Sequence, residues 1–249
     1  MKGYDCMTED LGLDPKFGNI EENIKVIRER IAAAALKSGR DESQVRFMAV
    51  TKTVEPKYIN HAIKQGIDLI GENKVQEYLM KKDNLELEDI EKHLIGHLQS
   101  NKVRKIITEV DMIESVDSLS VAEEIERQAE KNNMTANVLL EINVGGESSK
   151  TGMDKSEFKE NLYAVAEMKH IAVKGLMTIP PICENNLELA KFFDEMYKLF
   201  IDIDGENIDN VSMDILSMGM SHDYEQAIIC GSNLVRVGSA IFGPRIYNK

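Results

Sequence analysis

Short apolar runs alternate with amphipathic segments along most of this 249-residue chain. The runs have the length of strands and no clean alternation of polar and apolar positions, which is typical of strands buried on both faces of a parallel sheet. The sequence predicts eight strands, at 46–50, 68–72, 93–98, 111–116, 137–144, 173–179, 214–218 and 233–242. Apolar residues recur at helical spacing between the strands, most clearly at 120–131, 154–168 and 184–200.

An additional helix is predicted before the first strand. Isoleucines recur there at helical spacing, at Ile20, Ile24, Ile27 and Ile31. Asn19 is the predicted N-cap, and Glu22 is its partner in a capping box. Because Gly, Asp and Pro are scattered through residues 1–18, we expect an irregular arm there and one folded body over 19–249.

Eight alternating β/α units predict an α/β protein that forms a single (β/α)8 barrel with an extra N-terminal helix. The length of the chain suits one barrel domain. An open, doubly wound sheet is the alternative, but no strand is followed by the GxGxxG turn of a dinucleotide-binding fold.

The charge balance argues against some classes of function. The net charge is −13, whereas a general nucleic-acid binder would be basic. No apolar run approaches the length of a membrane span, and the N-terminus lacks a signal-peptide core. Three widely spaced cysteines form no CxxC pair, which suits a reducing compartment. We therefore expect a cytoplasmic protein that binds neither nucleic acid nor membrane.

One lysine stands out at the end of the first predicted strand. The active face of such a barrel is built from the carboxyl ends of its strands, and Lys52 follows the first of them. Burial against the strand would favour a neutral amine, which can attack an aldehyde to form a Schiff base. A lone lysine after a strand is more often a solvated surface residue.

Two loops at the same face resemble an anion site. Barrel enzymes often bind phosphate with the loops after strands 7 and 8, and here these loops carry Ser217–Ser221 and Gly238-Ser239. An aldehyde phosphate would span from them to Lys52, either pyridoxal 5'-phosphate or a sugar phosphate in an aldolase. Arg236 lies within an apolar strand and needs an acceptor. His93 and His97 would share one strand face, but nothing completes a metal site, so no metal is predicted.

Six motifs in order resemble those of the pyridoxal phosphate homeostasis proteins. They are AVTKT at 49–53, GENKVQE at 71–77, IGHLQSNK at 95–102, GLMT at 175–178, LSMGMS at 216–221 and VRVGSAIFG at 235–243. The resemblance covers roughly residues 20 to 245. It implies a barrel similar to the N-terminal domain of alanine racemase, with pyridoxal 5'-phosphate as the cofactor.

The resemblance also implies a role for each candidate residue. Lys52 would carry the cofactor as a Schiff base, and Asn73 would line its ring. Ser217, Gly238 and Ser239 would hold the phosphate, and Arg236 would face the pyridine nitrogen. Members of the family are described as binding and delivering the cofactor, without established catalytic turnover.

Arg236 favours a carrier over an enzyme. Most carbanion chemistry on this cofactor needs a protonated ring nitrogen, and a permanently cationic arginine does not supply the proton. Racemases of the related fold add a tyrosine from a second domain, which we do not expect after the eighth strand. The prediction is therefore a monomeric, non-enzymatic carrier that passes the cofactor to apo-enzymes. A racemase-like or other pyridoxal phosphate enzyme is the alternative.

Overall fold

Eight parallel strands form a closed barrel in this computed structural model, which describes residues 14–147, 150–183 and 185–244. Each strand pairs with the next along the chain, and the last pairs with the first. The strands are β1 Arg46–Val50, β2 Leu69–Glu72, β3 Glu91–Leu94, β4 Met112–Val116, β5 Ala136–Ile142, β6 Ile171–Thr178, β7 Val211–Met220 and β8 Leu234–Val237. The predicted (β/α)8 barrel is confirmed.

Helices surround the barrel. In the described part of the chain they are α1 Pro15–Lys37, α2 Pro56–Lys64, α3 Val75–Lys81, α4 Ser100–Ile106, α5 Leu119–Lys131, α6 Phe158–Ala166, α7 Asn186–Asp204, α8 Tyr224–Ile229 and α9 Ser239–Phe242. None of these helices combines the length and the apolarity that crossing a bilayer requires. Their inward faces and the outer face of the sheet form the main apolar core.

The extra N-terminal helix exists, but it starts earlier than predicted. Helix α1 begins at Pro15, and the Asp14 carboxylate accepts a hydrogen bond from the Lys16 N–H at 3.0 Å. An aspartate cap followed by proline in the first turn is a strong start signal. The predicted Asn19 cap is therefore wrong, and residues 15–18 are not an irregular arm. The remainder of that arm, 1–13, lies outside the described residues.

Five strands end at other places than the sequence predicted, and three of these differences bear on the site. Strand β3 stops at Leu94, so His97 lies in the following loop. Strand β7 continues through Met220 instead of stopping at 218. Strand β8 stops at Val237, and the apolar residues after it form the short helix α9. A short apolar run does not distinguish strand from helix by its period, so only the pairing of the sheet fixed these limits.

The barrel interior is filled by side chains, which include two apolar clusters and several buried polar residues. One apolar cluster contains Met48, Val50, Leu69, Ile95 and Leu234, and the other contains Met112, Leu139 and Met177. His93, Glu114, Ser217 and Arg236 are buried polar residues of the same sheet. Because the interior of such a barrel is packed, ligands bind beyond the carboxyl ends of the strands.

Candidate functional site

A cavity of about 190 Å³ opens at the carboxyl ends of the strands. It is lined by Lys52, Asn73, Arg236, Gly238 and Ser239, which are five of the six residues that the sequence nominated. Ser221 and His222 line it as well, together with the apolar Val50, Ile95, Ile179 and Met220. A wider recess of about 400 Å³ adjoins it and shares Lys52, Gly238 and Ser239. The two spaces thus meet at the lysine.

Lys52 is half-buried in the loop after β1, where its ammonium or amine nitrogen can reach the cavity. Its Nζ donates a hydrogen bond to Asn73 Oδ1 at 3.3 Å. Asn73 follows β2 and packs closely against Gly96, where any Cβ would overlap the Asn73 carbonyl. The glycine in the IGHLQSNK motif therefore lets Asn73 approach, and Asn73 in turn contacts the lysine.

A group of charged and polar residues, here named the lysine clamp, holds the loop that carries Lys52. The clamp consists of Thr51, Glu72, Glu77 and Lys81. The Thr51 hydroxyl donates to Glu72, and Lys81 Nζ donates to the Thr51 carbonyl at 2.8 Å. The N–H of Thr53, whose φ of 62° is unusual for a β-branched residue, donates to Glu77. The backbone is thus fixed on both sides of Lys52.

Lys81 joins the two carboxylates of the clamp. It forms ion pairs with Glu72 and, at 3.2 Å, with Glu77. Burial raises the pKa of Glu72, and the Lys81 charge opposes that rise. Glu72 Oε2 is buried and has no hydrogen-bond partner among the described residues.

The opposite side of the cavity offers donors for an anion. Ser221 and Ser239 contribute hydroxyls, and the N–H groups of Gly238 and Ala240 point toward Ser221 Oγ at 3.2 and 3.3 Å. A Cβ at Gly238 would lie 3.1 Å from the Val50 carbonyl oxygen, so a side chain would fit poorly there. Hydroxyls and backbone N–H groups of this kind are suited to a phosphate group.

Ser217 does not line the cavity, contrary to the prediction that it holds the phosphate. It is buried three residues before the end of β7. Its hydroxyl donates to Glu114 at 2.6 Å and accepts from Arg236 at 2.5 Å. The prediction ended the strand at 218, which placed Ser217 at its tip. With the strand extended to Met220, Ser221 takes that place.

Arg236 is buried near the end of β8 and also borders the cavity. Its Nη2 donates to the Thr178 carbonyl at 2.8 Å, and its Nη1 lies 4.0 Å from Glu114 Oε2. Burial lowers the pKa of the guanidinium, while Glu114, Glu141 and Asp223 act in the opposite direction. The sequence predicted that Arg236 needs an acceptor. The structure provides two, the Ser217 hydroxyl and the Thr178 carbonyl, and the Glu114 carboxylate lies nearby.

Behind Arg236 runs a row of contacts that the sequence did not reveal. His93 Nδ1 lies 2.6 Å from Glu114 Oε1, and His93 Nε2 lies 2.6 Å from Glu91 Oε1. Arg46 donates to Glu91 at 2.6 Å from the start of β1. We name this row, Arg46, Glu91, His93, Glu114, Ser217 and Arg236, the axial chain. Nothing in the sequence indicated that Glu114 is the partner of His93.

The charges of the axial chain stabilise one another. Burial alone would lower the pKa of His93, but the hydrogen bonds with Glu114 and Glu91 outweigh it and raise the pKa to about 9. The hydrogen bond from His93, aided by Arg46, lowers the pKa of Glu91 to about 2 despite partial burial. Burial would raise the pKa of Glu114, but His93 and Arg236 hold it below its usual value.

His97, by contrast, is an exposed loop residue that contacts Asp117 at 2.7 Å. No group of three or more histidine, cysteine, aspartate or glutamate side chains is placed to hold a metal within the described segments.

Comparisons with known proteins show the family of this chain. The family model described as alanine racemase, N-terminal domain, matches residues 17–246. A pyridoxal phosphate homeostasis protein of Aquifex aeolicus is 40% identical over 92% of this chain and 100% of its own length.

Two solved structures extend the comparison. A protein of unknown function from Bifidobacterium adolescentis is 37% identical, with a TM-score of 0.88 over 93% of this chain and 98% of its own. PipY of Synechococcus elongatus, solved with PLP bound, is 29% identical, with a TM-score of 0.80 over 90% of this chain and 100% of its own. The chain therefore belongs to the pyridoxal phosphate homeostasis proteins, within the alanine racemase N-terminal domain family.

Proposed function

We propose that this chain binds pyridoxal 5'-phosphate as a Schiff base on Lys52 and holds it for delivery to other proteins. The observation that carries the proposal is a single cavity that joins an amine, an arginine and a set of anion donors. When bound, the cofactor supplies an aldehyde and an electron-withdrawing ring.

The residues around the cavity suit this ligand. Ser221, Ser239 and the N–H of Gly238 would bind the phosphate, with Ser221 in the role that the sequence gave to Ser217. Asn73 would line the ring and orient Lys52, to which it is hydrogen-bonded. Arg236 would face the pyridine nitrogen. The relative from Synechococcus elongatus was solved with PLP bound, which supports the assignment.

A carrier role without catalytic turnover is supported by Arg236 and by the names of the relatives. A guanidinium donates hydrogen bonds and keeps its proton, so it does not secure a protonated ring nitrogen. Relatives from several bacteria are named pyridoxal phosphate homeostasis proteins. The recipients in our proposal are apo-forms of pyridoxal phosphate enzymes in the cytoplasm, and the carrier acts as a monomer.

Absorption spectroscopy of the loaded protein tests the covalent link. The wild type should show a visible absorption band when incubated with pyridoxal 5'-phosphate, and Lys52→Ala should lose it. Lys64→Ala is the matched control, since Lys64 is an exposed lysine paired with Glu86. A wild type that stays colourless and fails to bind the added cofactor would refute the proposal.

Turnover separates the carrier from the racemase-like alternative. His222 is the candidate second acid–base group, because it lines the same cavity as Lys52. We expect loaded protein to leave D- and L-alanine unchanged and to restore activity to an apo-enzyme added in excess. Interconversion of the alanine enantiomers that is lost in His222→Ala would favour the enzyme instead.

A further inference from the structure

The axial chain spans the barrel from one mouth to the other. Arg46 is partly exposed at the start of β1, and Arg236 borders the cavity beyond the other end of the strands. Between them, the side chains of His93 and Glu114 are fully enclosed. Burying such charges costs free energy that apolar residues of similar volume would avoid, so stability alone does not explain them.

The hydrogen bonds of His93 define its charge. Both ring nitrogens lie 2.6 Å from carboxylate oxygens, of Glu114 on one side and Glu91 on the other. An ionised carboxylate only accepts hydrogen bonds, so both nitrogens must donate, and the ring is an imidazolium. The raised pKa of His93, about 9, agrees with this geometry.

The Ser217 hydroxyl transmits that charge to Arg236. It has one hydrogen, which it donates to Glu114, and it accepts a hydrogen bond from Arg236. A protonated Glu114 would be neutral whether its proton faced His93 or Ser217, and Arg236 would then lose the anion behind the serine hydroxyl. The electrostatic environment of Arg236 therefore depends on an ionised Glu114, whose pKa is held below its usual value by His93 and by Arg236 itself.

We propose that His93 is a positioning residue that, through Glu114 and Ser217, fixes the direction and the effective charge of Arg236 toward the ligand. The identity of that ligand rests on the proposed function; the coupling between His93 and Arg236 does not. Loss of the His93 proton would remove a cation that pairs with Glu114, so the charge of this carboxylate would act more strongly on Ser217 and Arg236. The environment of the ligand would then change with pH.

The charged groups in and beside the axial chain come from several strands. They are Arg46 on β1, Glu91 on β3, Glu114 on β4, Glu141 on β5, Arg236 on β8 and Asp223 after β7. Glu91 and Glu114 act on His93 directly, while Glu141 and Asp223 act on Arg236. His93 is the group to follow by spectroscopy, because its raised pKa of about 9 lies in a pH range that a titration can reach.

The coupling can be tested first without any ligand. In ¹⁵N NMR spectra of the ligand-free protein, His93 should carry protons on both ring nitrogens at pH 7 and titrate near pH 9. The side-chain signal of Arg236 should shift with the same midpoint. In Ser217→Ala the Arg236 signal should no longer follow His93. A His93 that titrates near its ordinary pKa, or an Arg236 signal that ignores it, would overturn the proposal.

The loaded protein provides the second test. In the wild type, the absorption band of the bound cofactor should change with pH with the same midpoint. In His93→Gln this pH-dependent change should be absent. The variant should also bind the cofactor roughly tenfold more weakly, as when groups that orient a ligand-binding residue are removed. His170→Gln is the matched control, because His170 pairs with Glu126 outside the axial chain.

A folded His93→Gln protein with the wild-type pH profile would overturn the proposal. If His93→Gln does not fold, the NMR titration of the wild type decides. If the wild type binds no cofactor, the proposed function fails, and the ligand-free titration still decides the coupling.

Discussion

The two sides of the cavity are held by different means. On the lysine side, three of the contacts of the clamp end on the backbone or the hydroxyl of Thr51 and Thr53, so they fix the path of the chain. On the arginine side, the axial chain links side chain to side chain through the barrel, so it fixes a charge. The comparison fits the proposed roles, in which Lys52 forms a covalent bond and needs a fixed position, whereas Arg236 acts through its charge and needs a fixed environment.

Removing the central carboxylate of the axial chain should have the largest effect on stability. Glu114→Gln leaves His93 and Arg236 as buried cations without the carboxylate between them. We expect the free energy of unfolding to fall by about 3–5 kcal/mol, the range for breaking a buried ion pair. Denaturant titration measures this directly.

The matched control for that variant is Glu195→Gln, which breaks an exposed pair with Lys155. An exposed pair contributes less than about 1 kcal/mol, so the control should be close to wild type. Equal losses in the free energy of unfolding would show that the buried charges of the axial chain matter no more to stability than an exposed ion pair.

Breaking the lysine clamp should cost less. Lys81→Met removes the cation beside Glu72, but the raised pKa of Glu72 allows it to take up a proton instead of remaining a buried anion. We expect a loss of about 1–3 kcal/mol, mainly for the unsatisfied Thr51 carbonyl. Because the Lys52 loop loosens, cofactor binding should weaken while the absorption band of the bound fraction keeps its position.

The neighbouring Lys82→Met is the control for the clamp, since Lys82 pairs with Glu109 at the surface. It should leave both unfolding and cofactor binding near wild type. A Lys81→Met protein that shifts the absorption band without weakening binding would contradict the division of roles between the two sides.

The smallest expected effect is a difference in phosphate affinity between two serine variants of the LSMGMS motif at 216–221. Ser221→Ala should weaken binding of inorganic phosphate roughly tenfold, the worth of one hydrogen bond to a charged group. Ser217→Ala should leave phosphate affinity within about twofold of wild type, because its hydroxyl faces Glu114 and Arg236 rather than the cavity. Isothermal calorimetry with phosphate distinguishes them, and the reverse order would restore the original prediction for Ser217.

The sequence predicted the barrel well because its signals are local. Strand β1 was predicted at its observed limits, since its apolar run is bounded by polar residues and followed by Glu55-Pro56, where α2 begins. Lys52 and Asn73 follow strands that were placed within one residue, and the structure brings their side chains together.

Positions that depend on sheet register were harder to predict. The end of β7 was set two residues early, and with the strand extended to Met220 it is Ser221, not Ser217, that lines the cavity. The partner of His93 could not be found either. Glu114 is 21 positions away on the next strand, and only the register between β3 and β4 brings the two side chains together.

Reduction and mapping of the covalent link test the central claim most directly. Loaded protein is treated with borohydride, digested and analysed by mass spectrometry, with Lys52→Arg alongside. We predict that the peptide containing Lys52 carries the reduced pyridoxyl group and that the variant carries none. The account would be contradicted if Lys52 were unmodified and the pyridoxyl group were found on another lysine. Lys74 and Lys102 are the examples to check, since they line a recess next to Asn73.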